Sequence, residues 1–263
     1  MYEAFLDHHV HSRRSFDSES RLEDLVESAR RVGVGGFVLT DHVEFDPSEI
    51  GFGYFDYDEA RDDWEEIQSL TPDLKIRFGA EVSHQKDRAA AIRDYLRSRR
   101  FHYVIGSVHH VGREEISDFV SRAEERKVPL EECMDGYFDA CLDAVKSNLY
   151  DAMGHLDFPK RYSRGGPKYT GDFWLKHYGK KIRDVVTACL DMGVHLEVNT
   201  ATFRVGFTEP YPGWAILDLY RQLGGRQVIL SSDAHRPEDV GTAYGAVIKE
   251  LSRRGLGIRN AVA

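Results

Sequence analysis

Histidines and carboxylates in this chain stand where apolar runs stop. The first group is Asp7-His8-His9-Val10-His11, entered from Ala4–Leu6. In an extended strand, residues i and i+2 share a face. His9 and His11 therefore point the same way, as does Asp7. Two imidazoles on one side of a strand end make half of a divalent-metal site. A lone H-x-H pair is a weak sign, but the pattern recurs. Gly36–Thr40 runs into Asp41-His42, Lys75–Gly79 into Ala80-Glu81, and His102–Gly106 into Ser107-Val108-His109-His110. Tyr150–Met153 runs into Gly154-His155-Leu156-Asp157, Val194–Val198 into Asn199-Thr200, and Gln227–Leu230 into Ser231-Ser232-Asp233-Ala234-His235. Imidazole plus carboxylate without cysteine suits Zn, Mn or Fe. The candidates are His9, His11, Asp17, His42, Glu81, His109, His155, Asp233 and His235. At about three to four protein ligands per ion, they suit two or three ions sharing a carboxylate. Paired metals around a shared carboxylate and a bridging water are a device for hydrolysis, particularly of phosphate esters.

The elements that must position these groups alternate. Between the apolar runs lie stretches of helical spacing. Ser20-Arg21-Leu22-Glu23 fits a capping box that opens a helix ending near Gly33. Tyr57–Leu70, Asp87–Arg99, Leu130–Ser147, Asp172–Met192, Pro212–Leu223 and Pro237–Arg254 read as further helices. Strands alternating with helices imply parallel βαβ units. An open sheet would string its strand ends along a line. A closed barrel brings them to one face, so the chemistry at the strand ends favours the barrel. No linker, low-complexity tract or repeat interrupts the pattern, which predicts one domain over residues 1–263.

Composition bounds the partners. Hydrophobic residues make up 41% and charged residues 30% of the 263, ordinary for a soluble globular protein. No apolar run approaches the roughly 20 residues that span a bilayer, and the start does not read as a signal peptide. The formal charge of −9 argues against nonspecific nucleic-acid binding, which rests on cations neutralising phosphates. A local basic pocket for a small phosphorylated substrate is compatible with it. Cys133, Cys141 and Cys189 form no C-x-x-C pair and read as small hydrophobes in a reducing, cytoplasmic setting. No signal for an oligomeric state is present.

Taken together, Asp7-His8-His9-Val10-His11, Thr40-Asp41-His42, Glu81, Gly106-Ser107-Val108-His109, Gly154-His155-Leu156-Asp157 and Ser232-Asp233-Ala234-His235 resemble the PHP (polymerase and histidinol phosphatase) family, in its order and over nearly the whole chain. The resemblance implies a distorted (β/α)7 TIM-like barrel with a trinuclear metal centre at the C-terminal ends of its strands. It implies a first metal on His9, His11, Glu81 and Asp233. Glu81 would bridge to a second, held also by His109 and His155, and Asp17, His42 and His235 would hold a third. Asp17 stands where many members have His. Leu156–Tyr162, Glu197–Arg204, Tyr211-Pro212 and Asp233–Gly241 are similar to blocks of the histidinol-phosphatase branch, in which the arginines matching Arg161 and Arg204 are expected to grip the substrate phosphate. Ala201-Thr202-Phe203 and Phe158-Pro159 depart from that branch's usual residues near the substrate.

The expectation is therefore a phosphomonoesterase that hydrolyses L-histidinol phosphate by attack of a metal-bridging hydroxide, with Glu81, Asp233 and His235 closest to the chemistry. Asp7, Asp41 and Asp157 are candidates to orient ligand histidines. Glu44, Phe45, Tyr54 and Phe55, after the second strand, are candidates to line the amino-imidazole end of the substrate. The rival readings are a phosphoesterase of the same family acting on a nucleotide or another small ester, a barrel amidohydrolase or deaminase, which also begins with H-x-H, and a non-catalytic metal-binding scaffold.

Overall fold

Each apolar run becomes a strand, and burial along the strands is almost continuous, as parallel sheets covered on both faces require. In the computed structural model, which describes residues 2–163 and 166–260, β1 spans Tyr2–Val10, β2 Val34–Leu39, β3 Lys75–Ser83, β4 Tyr103–Ser107, β5 Ala152–Met153, β6 His195–Asn199 and β7 Gln227–Ser231. Neighbours in this order pair in parallel. The ends of the sheet meet. Val10 bridges in parallel to Ala234, and the His11 N–H donates to the Ala234 carbonyl at 2.8 Å. The Asp7 carboxylate fastens the same seam, accepting from the Ser232 N–H at 2.8 Å, the Ser232 hydroxyl and the Gly241 N–H. Asp7 thus closes the barrel rather than orienting a histidine ring. The outcome is a distorted (β/α)7 barrel.

The surrounding helices are α1 Leu22–Val32, α2 Tyr57–Leu70, α3 Ala89–Ser98, α4 Ile116–Glu125, α5 Asp135–Lys146, α6 Gly171–Met192, α7 Trp214–Gln222 and α8 Tyr244–Arg253. Four local readings need correction. The capping box at Ser20 does not form: Arg21 is the N-cap without a side-chain bond, and the Ser20 hydroxyl donates instead to the His235 carbonyl at 2.9 Å. The site competes for that donor and wins. α4 has no counterpart among the expected helices. The Pro237 stretch opens as a short 3-10 turn, and left-handed backbone at Gly241 and Ala243 separates it from α8. A further two-residue strand, β8 Gly257–Ile258, pairs with β7, too short to give an apolar signal.

Six side chains from five strands, Leu6, Val38, Tyr103, Ile105, Ala152 and Ile229, plug the barrel interior in one apolar cluster. A larger core lies between barrel and helices. In chain order the plug residues precede the polar strand ends, so the barrel is packed on one side and chemical on the other. No described helix is long and apolar enough to cross a membrane.

β2 and β3 approach so closely at Gly36, where φ is +146°, that a Cβ would lie 2.0 Å from the Lys75 carbonyl oxygen. Gly36→Ala is expected to cost at least about 2 kcal/mol of unfolding free energy. Gly179→Ala, in α6 with open space around it, should be neutral or gain up to about 1 kcal/mol. Urea unfolding of the two variants checks both values, and equal stabilities would refute the close approach.

Candidate metal centre

Strand ends from all around the barrel converge on Glu81. Its Oε2 lies 3.2 Å from His9 Nε2, 3.0 Å from His42 Nδ1 and 3.6 Å from His11 Nε2. Its Oε1 lies 2.9 Å from His155 Nε2 and 3.4 Å from His109 Nε2. One carboxylate therefore stands between two sets of imidazoles, one set on each oxygen. Asp233 Oδ1 adds to the first set, 3.3 Å from His11 Nε2 and 3.7 Å from His9 Nε2. Asp17 Oδ2 stands further out, 3.1 Å from His235 Nε2 and 3.5 Å from His42 Nε2. Rings stack through the cluster, with His11 and His235 centroids 4.0 Å apart and His11 and His42 4.4 Å apart.

All nine expected ligands meet at this place, and three groups of them have donor atoms close enough to share an ion: His9, His11 and Asp233; His42, Glu81 and His109; His11, His42 and His235. His42 joins Glu81 as well as His235, whereas the resemblance places it with the third ion alone.

A metal fits this donor set for a reason visible in the hydrogen bonding. His9 Nε2, His11 Nε2 and His42 Nδ1 are buried without any hydrogen-bond partner. Carboxylate oxygens lie within 3.0–3.6 Å of all three, but not at hydrogen-bond angles. An unsatisfied buried polar group costs about 1–3 kcal/mol. Three of them aimed at the same carboxylates are relieved together by cations between them. Burial opposes charge on Glu81 and Asp233. The histidines around them, His9 foremost, outweigh it and hold both carboxyls well below the ordinary range. The acceptors are thus ionised, as metal ligands must be.

A further layer of residues holds the ligands in place. Glu197 Oε1 lies 2.7 Å from His9 Nδ1 and accepts from the Ser231 hydroxyl at 2.7 Å, while its Oε2 accepts from the His155 N–H at 2.6 Å. Glu197 thereby fixes the His9 ring, which sequence reading did not assign to it. The available signal was a carboxylate inside an otherwise apolar strand. Asp41 accepts from the Ser15 hydroxyl at 2.9 Å, and Ser15 Oγ is 3.0 Å from His11 Nδ1, so Asp41 orients a histidine through a serine. Asp157 does not orient a ligand. Its Oδ2 accepts from the buried Lys160 ammonium at 2.9 Å and from the Gly213 N–H at 3.1 Å. This pair pins the turn Phe158–Tyr162, which lays Phe158 over the His155 ring at 4.4 Å and brings Arg161 to the cavity wall.

The cavity over the cluster has a volume of about 630 Å³ and is lined by Asp17, His42, Glu81, His109, His155, Arg161, Asp233 and His235 among others. Arg204 is not on its wall. Its two terminal nitrogens donate to the Ser232 and Asp233 carbonyls at 2.6 and 2.8 Å, bracing Asp233, whose φ of +54° is left-handed. Of the four residues expected at the far end of the substrate, only Glu44 lines the cavity. Phe45 packs edge-on against Tyr95, Phe55 lies against Phe101, and the Tyr54 hydroxyl donates to the Arg13 carbonyl.

Comparison with known proteins agrees with this geometry. The PHP domain model matches residues 7–201. A probable histidinol-phosphatase of Thermotoga maritima is 25% identical over 94% of this chain and 91% of its own length. A histidinol-phosphatase of Lactococcus lactis is 28% identical over 88% of this chain and 84% of its own. A crystal structure of histidinol phosphate phosphatase from Lactococcus lactis, complexed with zinc, L-histidinol and phosphate, superimposes with a TM-score of 0.82 at 24% identity, covering 97% of this chain and 95% of that one.

Stripping metal with a chelator is expected to lower the melting temperature, and adding zinc or manganese to raise it again, the added stability being about 2.7 kcal/mol at a hundredfold excess over Kd. Glu197→Gln should weaken metal retention by about 10–100-fold. Metal content after dialysis measures this, and wild-type retention in the variant would remove Glu197 from the centre.

Proposed function

The chain belongs to the PHP domain family, and on that footing we propose that it is a metal-dependent phosphomonoesterase that converts L-histidinol phosphate and water to L-histidinol and phosphate, in the cytoplasm. The observation that carries this reading is the buried Glu81 with imidazoles on both oxygens, at the base of a cavity that also presents Arg161. Relatives of matching length that bear the histidinol-phosphatase name support the substrate.

In this reading His9, His11, Glu81 and Asp233 would hold one ion, Glu81 with His109 and His155 a second, and Asp17, His42 and His235 a third, all of the zinc, manganese or iron class. Divalent ions bound there supply Lewis acidity, which lowers the pKa of water and offsets charge on the phosphoryl oxygens. Everything else falls to the chain. Glu81 keeps the two halves of the site at a fixed separation, and Asp233 and His235 set the position of the outer half against the inner one. Arg161 offers a planar guanidinium to the phosphate oxygens, where a bidentate fork gives orientation as well as charge. Arg204 acts from behind the wall, adding its charge while holding the Asp233 backbone. Phe158, over His155, keeps bulk water from that side and strengthens the electrostatics inside.

Metal-loaded protein should release phosphate from L-histidinol phosphate in preference to a panel of other phosphomonoesters. Arg161→Ala is expected to lower kcat/KM by about 10²–10³-fold. Arg204→Ala should lower it as well, together with metal content. Turnover of other esters but not of L-histidinol phosphate would keep the metal centre and reject the substrate.

A further inference from the structure

Lys160 carries its charge into the interior, one residue before the arginine that faces the cavity. Its side chain is 0% exposed. The ammonium donates to Asp157 Oδ2 at 2.9 Å and to the Pro210 carbonyl at 2.7 Å, and a second carboxylate oxygen, Glu209 Oε1, stands 3.7 Å away. Glu209 has no part in the proposed phosphoryl chemistry and is not on the cavity wall. It is nonetheless buried and engaged on both oxygens. Oε1 accepts from the Gly171 N–H at 2.7 Å and Oε2 from the Trp214 N–H at 3.3 Å, the first residues of α6 and α7. The unpaired N–H groups of a helix start and the helix dipole both favour a carboxylate there. The two helix starts pack tightly around it: a Cβ at Gly213 would lie 2.5 Å from the Gly171 nitrogen and 2.4 Å from Glu209 Oε1.

The geometry of the turn links this interior charge to the cavity. Phe158–Tyr162 is a 3-10 turn. With about three residues per turn, residues i and i+3 share a side and neighbours point about 120° apart. Phe158 and Arg161 share a side, and both line the cavity. Lys160 points away from it, into the core. The direction in which Lys160 is held therefore sets the direction of Arg161. A buried ammonium stays only where anions and carbonyls meet it. Asp157 adjoins the turn and fixes its local shape. Glu209 and Pro210 come from a separate segment about fifty residues further along, and they tie the turn to α6 and α7. The Thr202 hydroxyl, donating to the Glu209 carbonyl at 2.6 Å, keeps that segment in place.

We propose that Glu209 is a positioning residue for the phosphate-binding arginine: acting through Lys160, it fixes the turn so that the Arg161 guanidinium meets the phosphate oxygens. The inference rests on the phosphomonoesterase reading and adds to it a residue outside the cavity on which the grip on phosphate depends. A bidentate fork works only when the planar guanidinium faces its two acceptor oxygens. A displacement of about 1 Å, caused by a change far from the chemistry, costs up to about 10²-fold in rate. Loss of the Glu209 charge leaves the ammonium with one carboxylate and loosens its tie to the two helices. The turn then tilts, and the fork loses its aim.

The test is a double-mutant cycle on metal-loaded protein. Glu209→Gln, Arg161→Ala and the double variant are compared with wild type for kcat/KM on L-histidinol phosphate and, by calorimetry, for the Kd of inorganic phosphate. Glu209→Gln keeps an acceptor for the Gly171 N–H and removes the charge. It should lower kcat/KM and weaken phosphate binding, each by about tenfold, with metal content at the wild-type level. Beside Arg161→Ala the same change should cost less than about twofold, because groups that act through one another are not additive. Glu209→Asp, with its charge at a shorter reach, should show a loss of about threefold that likewise vanishes beside Arg161→Ala, and it serves in place of Glu209→Gln if that variant does not fold. Equal losses in both backgrounds would overturn the proposal by making Glu209 a residue of the fold alone. So would the absence of any loss in a variant that folds. If wild type binds phosphate but releases none from L-histidinol phosphate, the substrate is rejected and the cycle is read on phosphate binding. If wild type neither releases nor binds phosphate, the phosphomonoesterase reading fails and this inference with it.

Discussion

The structure depends on one arrangement, an ionised carboxylate buried among imidazoles. Glu81 is 1% exposed, a position in which a lone carboxylate would be strongly disfavoured. Positive charge around it reverses that preference, and the surrounding histidines hold buried nitrogens without a hydrogen-bond partner that a shared cation relieves. Neither half is stable without the other. Glu81 needs positive charge nearby, and the imidazoles need an acceptor of their lone pairs.

Barrel closure is what makes the arrangement affordable to build. Asp7 and the Val10–Ala234 bridge join the first strand to the end of the seventh. This brings His9 and His11 to Asp233, more than two hundred residues away in the chain. Each ligand is then fixed from behind by a group that does not face the cavity: Glu197 behind His9, Ser15 and Asp41 behind His11, Arg204 behind Asp233. Such support restricts the ligand rings to one orientation before any ion arrives, which lowers the cost of binding.

The cavity is asymmetric, and this gives it direction. On one side the turn carrying Phe158 and Arg161 is locked by a fully buried Lys160–Asp157 pair. On the other, the segment after β2 and the hairpin of His110–Val111 with Glu114–Glu115 supply carboxylates.

Much of this was legible in the residues. The apolar runs, their period and their polar endings determined the strands, the parallel alternation and all nine candidate ligands, because a strand buried on both faces must be apolar until it reaches the site. Helix Tyr57–Leu70 was readable to the residue for the same local reason. What depended on distant neighbours was not legible. Ser20 looked like a helix cap but bonds to His235, and Asp7 looked like a ligand orienter but seals the barrel. Arg204 donates to the Ser232 and Asp233 carbonyls, contacts that its place in the chain does not announce. Glu197 acquires its role only from what the fold sets beside it. Sequence determines which side chains are available and which face of an element they occupy, since those follow from local periodicity. Only the tertiary structure decides which donor meets which acceptor, because hydrogen bonds and ion pairs are made over about 3 Å between residues whose separation along the chain carries no such information.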